Sequence, residues 1–318
     1  MKIGILTSGG DAPGMNPLIR AVVRSGIYYN HKVYGIENGF EGLIDGKVRE
    51  LNESSVADII QRGGTFLGTS RSERFTTEEG LKKALNVLEI FNIDYLIVCG
   101  GDGSLRGALR LKKFGVKVIG IPVSIDNDLA YTEYTIGFMT CLETLIDVIS
   151  KIRDTTESHS RANVIEVMGR NCGDIALYAG IAGGAENIII PESPTDIDEI
   201  AKKALMGKNR GKKHHIILIA EAMGDPFNFA KKFEELTGID TKVTIPGYIQ
   251  RGGSPCVFDR ILASQMGLRA IEEINKKNEG LAIGYQKEKI ISLAIEEIFD
   301  KKKEFSYDLL RMLKIISI

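Results

Sequence analysis

Two aspartates one residue apart, Asp126 and Asp128, close the run PVSIDND at residues 122–128. A carboxylate delivered by a buried strand can take a proton from a hydroxyl. The same letters suit an ordinary turn, where Asp and Asn bond their own backbone. Other apolar runs end in comparable chemistry. GGDGS (100–104) sets Asp102 between glycines, so a polyphosphate can approach the backbone while the carboxylate holds Mg²⁺. A tight turn with an N-cap aspartate has the same pattern. In GGDAPGMN (9–16), Gly9, Gly10 and Gly14 allow close approach of an anion to the free N–H groups of the next helix. Arg71 follows the glycine-rich GGTFLGTS, Met168, Gly169 and Arg170 end EVMGR, Glu221 lies in IAEAMG, and Arg251 sits among the glycines of GYIQRGGSP. Arginine is the side chain best matched to bidentate phosphate binding. Several phosphate-binding loops together with carboxylates point to phosphoryl transfer between small molecules, chemistry in which a protein mainly positions groups and neutralises charge.

These residues need strands to deliver them. IGILTS, VYGI, YLIVCG, VKVIGIPV, NVIEVMG, NIIIPE and HHIILIAE are short, apolar and often β-branched, as suits strands buried on both faces of a parallel sheet. Between them, 14–27, 80–91, 103–114, 137–154, 172–183 and 226–237 read as helices, and at 195–208 Thr195 is expected to cap a helix with Asp198 reaching back. Alternation of this kind argues for an α/β layered fold whose ligands bind beyond the carboxyl ends of the strands. The expected architecture is two similar three-layer α/β/α lobes with mainly parallel sheets and an active-site cleft between them. Residues 1–137 are expected to form the larger lobe, residues 138–255 the smaller, and 256–318 to return to the larger one.

The totals narrow the classes. The 318 residues suffice for one large or two medium domains. Lys plus Arg (41) nearly balance Asp plus Glu (42), so no global field favours nucleic acid or an acidic membrane, and any anion must be held by local clusters. No apolar stretch approaches the length of a bilayer span. Cys99, Cys141, Cys172 and Cys256 lack metal-ligand spacing and read as reduced thiols of a cytoplasmic protein. The adjacent His214 and His215 lack helical zinc spacing.

In order along residues 2–285, TSGGDAPGMN, GGTFLG, GGDGS, SIDND, EVMGR, IAGG, AE and IQRGGSP resemble the bacterial type of ATP-dependent phosphofructokinase. Members of that family transfer the γ-phosphate of Mg-ATP to the 1-hydroxyl of fructose 6-phosphate, giving ADP and fructose 1,6-bisphosphate. They are typically homotetramers with active and effector sites at subunit interfaces. The resemblance implies nucleotide contacts at Gly10, Arg71, Ser72, Gly101, Asp102, Gly103, Ser104 and Gly107, with Asp102 the Mg²⁺ ligand. It implies Asp126 as general base, Arg71 bridging donor and acceptor phosphates, and Asp128, Ser124 and Arg170 stabilising the metal and the transferring group, with the 1–137 lobe binding the nucleotide and the 138–255 lobe the sugar phosphate. Sugar-phosphate contacts fall at Ser124, Ile125, Asp126, Arg161, Met168, Gly169, Arg170, Glu221, Lys242, Tyr248, Ile249, Gln250 and Arg251, Arg161 acting from a neighbouring subunit.

The chain departs from the family at Val123, where bulk is expected beside the phosphates, and at Lys242 and Tyr248, where relatives carry arginine and histidine. Gly103 is the ATP-type choice. A phosphometabolite or nucleotide effector site is implied at Arg20, Arg24, Arg153, Gly184, Ala185, Glu186, Arg210, Lys212, Lys213 and His214, with Glu53 standing where relatives often carry a basic residue. The residues leave open a pyrophosphate-dependent or other sugar-phosphate kinase, and a non-catalytic sensing paralogue.

Overall fold

The structure is a computed structural model that describes residues 1–317. The chain falls into two compact units. One comprises Met1–Ile125, Leu129–Thr140 and Arg251–Lys303; the other comprises Asp126–Asp128, Cys141–Gln250 and the chain from Glu304 onward. The first stretch builds β1 (Lys2–Thr7), α1 (Met15–Tyr28), β2 (Lys32–Ile36), α2 (Gly39–Ile44), β3 (Val48–Leu51), α3 (Glu78–Ile90), β4 (Tyr95–Gly100), α4 (Asp102–Lys112), β5 (Val118–Ser124) and β6 (Ile136–Gly137). There follow α5 (Phe138–Ser158), β7 (Ala162–Val167), α6 (Asp174–Gly183), β8 (Asn187–Ile189), α7 (Ile197–Asn209), β9 (His215–Ala220), α8 (Pro226–Thr237) and β10 (Thr241–Thr244). The chain closes with α9 (Val257–Asn275), β11 (Leu281–Gln286), β12 (Lys289–Ala294) and α10 (Tyr307–Ile316).

In the first unit the sheet order is β12-β11-β5-β4-β1-β2-β3, with β6 beside β5. Its middle is parallel, and antiparallel pairs, β2 with β3 and β11 with β12, close the edges. The second unit has a wholly parallel sheet in the order β10-β7-β9-β8. The apolar runs lie where the sequence puts them. β4 and β9 are buried along their whole lengths, as strands covered on both faces must be. Leu6, Val98, Leu105 and Val118 share one core, and Val164, Ile217, Ile219 and Phe233 share the other. Each such side chain contributes roughly 1.5–3 kcal/mol by leaving water, so the strand ends that carry the chemistry are firmly seated.

Helix starts follow capping chemistry. Asp225 accepts from the Phe227 amide at 3.0 Å, with Pro226 at the first helical position of α8. α7 corrects one expectation. Its cap is Asp196, whose carboxylate accepts from the Asp198 amide at 3.2 Å, whereas the Thr195 hydroxyl donates to the Ser193 carbonyl. Asp198 therefore supplies the capped amide and does not reach back. No helix of the described residues is long and apolar enough to cross a membrane.

Candidate functional site

In the first unit, three loops are tied together at the carboxyl ends of β1 and β4. The Ser8 amide donates to the Cys99 carbonyl at 2.9 Å, and the Gly9 amide donates to Ser70 at 3.2 Å. The Thr69 hydroxyl returns a bond to the Gly9 carbonyl at 2.9 Å, and the Ser104 hydroxyl donates to Ser8 at 2.9 Å. The loops holding Gly10, Arg71 and Asp102 are therefore one construction. Ser104 is buried, and its hydroxyl is the tie between two of them.

A Cβ at Gly10 would lie 3.3 Å from the Arg251 guanidinium, a tight contact that the arginine would have to relieve by shifting. The structure thus brings Arg251, expected among the sugar-phosphate contacts, against the loop that carries Gly10. Gly103 faces open space: beyond its chain neighbours and its own helix backbone, nothing lies within 4 Å of where its Cβ would be. That leaves room for a ligand over the N-terminus of α4, where free N–H groups favour an anion. Gly107 has a different reason for lacking a side chain. A Cβ there would stand 2.7 Å from the Phe40 ring, which stacks on Phe75 at 4.1 Å between centroids.

Asp102 opens α4, and its Oδ2 pairs with Arg106 Nε at 2.7 Å. The Arg106 guanidinium also lies over the Phe299 ring, 4.5 Å from its centroid. Asp102 is a single hard oxygen donor, and no group of three or more His, Cys, Asp or Glu among the described residues could hold an ion by itself. This fits Mg²⁺, which keeps several waters and binds through one or two carboxylates plus phosphates. It does not fit a caged zinc. Arg71 is exposed, while the Ser72 hydroxyl donates to Glu41 and accepts from the Phe75 amide.

Along β5, Val123 is 1% exposed and Ile125 is 3% exposed. The bulk expected beside the phosphates is therefore packed into the core, and it is the Val123 carbonyl that faces Gly101. Ser124 accepts from the Thr135 hydroxyl at 2.6 Å, and its Cβ lies 3.9 Å from where a Gly101 Cβ would stand.

The second unit gathers the carboxylates. Arg170 Nε lies 3.3 Å from Asp126 Oδ2, and its Nη1 lies 3.7 Å from Asp128 Oδ2, so one guanidinium spans both. Arg170 follows Gly169, whose φ of 134° is open to glycine, and its amide donates to Glu221 at 2.8 Å. Between the two aspartates Asn127 has φ 52° and donates its side-chain amide to Asp174 at 2.8 Å. Gln250 is buried, accepting from the Met168 amide at 3.0 Å and donating to Gly247 at 3.1 Å. It ties the loop at Met168 to the turn at Gly247. Beside it Tyr248 and Ile249 are exposed.

Asp240, which sequence reasoning missed, pairs with both Arg161 and Lys242, the latter at 2.7 Å. The hydrogen bond from Lys242, then the charge of Arg161, hold its carboxyl below the ordinary range. Its only sequence signal is its place two residues before Lys242.

The expected effector residues divide by unit. In the first, Arg20 and Arg24 lie one turn apart on α1, and partial burial followed by the charge of Arg24 lowers the pKa of Arg20. In the second, Arg153 donates to the Gly183 and Gly184 carbonyls and faces His214 Nε2 at 3.3 Å. Glu186 is buried against Lys212 at 2.7 Å and the Ile216 amide at 2.6 Å. Burial would raise its pKa, yet these partners outweigh burial and lower it. Ala185 is buried, while Lys212, Lys213 and His214 line a concavity of about 250 Å³ that Arg161 also borders. Arg210 is exposed at the end of α7.

Residues 2–274 match the family model described as phosphofructokinase. The chain belongs to the phosphofructokinase family. An ATP-dependent 6-phosphofructokinase of Alkaliphilus metalliredigens is 56% identical over 99% of both chains, and one of Finegoldia magna is 54% identical over the same shares. Among solved structures, the phosphofructokinase of Saccharomyces cerevisiae superposes over the whole chain with a TM-score of 0.90 at 34% identity, this chain spanning 48% of the longer yeast one. A pyrophosphate-dependent phosphofructokinase from Marinobacter aquaeolei shares the fold, with a TM-score of 0.85 at 20% identity over 99% of this chain and 91% of its own. Phosphofructokinase membership accounts for the order of the motifs, and the arrangement of strand ends is an α/β fold with mainly parallel sheets.

Proposed function

We propose that this protein is an ATP-dependent 6-phosphofructokinase, moving the γ-phosphate of Mg-ATP to the 1-hydroxyl of D-fructose 6-phosphate. The observation that carries this reading is the buried Asp126 paired, together with Asp128, to Arg170. A buried carboxylate needs a reason, and a proton acceptor held beside a cation is one.

In the proposed reaction Asp126 takes the proton of the 1-hydroxyl as that oxygen attacks the γ-phosphorus. The new O–P bond forms as the bond to the β-phosphate oxygen breaks, and ADP leaves. Arg170 and Arg71 offset charge on the transferring oxygens, as fixed cations do at lowest reorganisation cost. Gly10, Gly101 and Gly103 admit the nucleotide phosphates, and Arg161, Glu221, Lys242, Tyr248 and Arg251 hold the sugar phosphate. Mg²⁺, when bound by Asp102, would neutralise charge on the phosphates. The 54–56% identical relatives named ATP-dependent support ATP as donor.

The assembly proposed is a cytoplasmic homotetramer with nucleotide or phosphometabolite effectors at its interfaces. Free cysteines support the compartment. Exposed Val257, Ile261 and Leu268 on α9 support burial against a second copy. A coupled assay of fructose 6-phosphate with ATP and with pyrophosphate tests the whole. Turnover with ATP is expected, and binding without turnover by either donor would overturn it. Sedimentation at assay concentration tests the tetramer, and a fully active monomer would contradict the role of Arg161.

A further inference from the structure

Asp174 is the first residue of α6 and is 5% exposed. Its Oδ2 accepts the side-chain amide of Asn127, a residue 1% exposed and held at φ 52°. Asparagine adopts left-handed backbone more readily than most residues, and here its side-chain bond to Asp174 fixes that turn. Asn127 stands between the two aspartates that Arg170 spans. With its amide bonded to α6, Asn127 fixes the turn that presents its neighbours to the guanidinium.

We infer that Asp174 is a positioning residue for the phosphoryl transfer, acting through Asn127 to hold the Asp126 carboxylate where it accepts the proton. The inference rests on Asp126 being the base. An aspartate in the first turn of a helix also favours that helix by its charge. A residue serving only that purpose would affect stability and leave turnover alone.

The test is a double-mutant cycle on kcat, with KM for ATP measured beside it, using Asp174→Ala, Asn127→Ala and the double variant, plus Asp174→Asn. Asp174→Ala should lower kcat roughly tenfold or more while KM for ATP stays within about twofold. Asp174→Asn keeps an oxygen that accepts the same bond and should restore most of the loss. The double variant should be no slower than Asn127→Ala alone, because Asp174 acts on turnover through Asn127. Wild-type kcat in Asp174→Ala, additive losses in the cycle, or an Asn variant as slow as the Ala variant would overturn the proposal. Should Asp174→Ala not fold, wild-type kcat in Asn127→Ala overturns it equally. Failure of the base reading shows separately, as turnover that survives Asp126→Asn.

Discussion

One guanidinium, that of Arg170, meets both Asp126 at 3.3 Å and Asp128 at 3.7 Å. The Asp126 side chain is 9% exposed and that of Arg170 is 51% exposed, so the pair joins a buried anion to a cation that still reaches solvent. A buried charge is tolerated only when paired, and this pairing leaves the arginine accessible to an incoming phosphate. Replacing Arg170 by lysine keeps the charge and loses the fork. Arg170→Lys should lower kcat by roughly tenfold, and Arg170→Ala by more, with little change in KM for ATP. Steady-state kinetics with ATP varied at saturating sugar phosphate check this.

A second cation guards the other carboxylate. Arg106 pairs with Asp102 at 2.7 Å and, on the proposed reading of Asp102 as the Mg²⁺ ligand, competes with the ion. Such i,i+4 pairs contribute about 0.3–0.5 kcal/mol, equivalent to roughly a twofold effect. Arg106→Gln should therefore lower the Mg²⁺ concentration for half-maximal activity by about twofold at fixed nucleotide. A rise in the Mg²⁺ requirement would show that Arg106 assists the ion instead of competing with it.

Asp240 sits between Arg161 and Lys242 and, if these two hold the sugar phosphate as proposed, competes with it for both. Asp240→Asn should lower KM for fructose 6-phosphate a few-fold, within the roughly 0–1 kcal/mol range of exposed pairs, and leave kcat unchanged. Initial rates over a range of sugar phosphate decide it.

His215 gives a stability prediction with a definite sign. Burial, against the opposing charge of Glu186, pushes its pKa down from 6.5 to about 4. It accordingly stays neutral in the folded chain while an unfolded chain protonates it near pH 6.5. Its contribution is fully present above about pH 6.5 and is lost as the pH falls toward about 4. The slope is at most roughly 1.4 kcal/mol per pH unit from this one group. Urea unfolding at pH 7 and pH 5 should show the midpoint falling, and His215→Gln should flatten that part of the fall.

The sequence made the strand ends legible because their strands are continuous apolar runs. β4 and β9 could be read directly, and so could the positions of Gly10, Asp102 and Asp126 just beyond their strands. β12, KIISLA, was not legible, since it is an antiparallel edge strand with no residue fully buried and no continuous pattern. Long-range partners were equally hidden. Asn127 and Asp174 are 47 residues apart, and nothing in SIDND says which polar group its asparagine will find. Gly10 looks like any loop glycine until the fold brings the Arg251 guanidinium to 3.3 Å from where its Cβ would stand. Gly107 and Gln250 were matched by motif as ligand contacts, yet packing against Phe40 and bonding to Met168 are properties of the folded core. Val123 is buried in the folded chain, and its place in an apolar run does not by itself reveal what it packs against.

The most direct measurement is the turnover of Asp126→Ser with ATP and fructose 6-phosphate, alongside its nucleotide affinity. General-base catalysis is worth about 10²–10⁴ in rate. A fall in kcat of about 10² or more with near-normal nucleotide binding is the predicted result, and near-normal turnover would contradict Asp126 as the base.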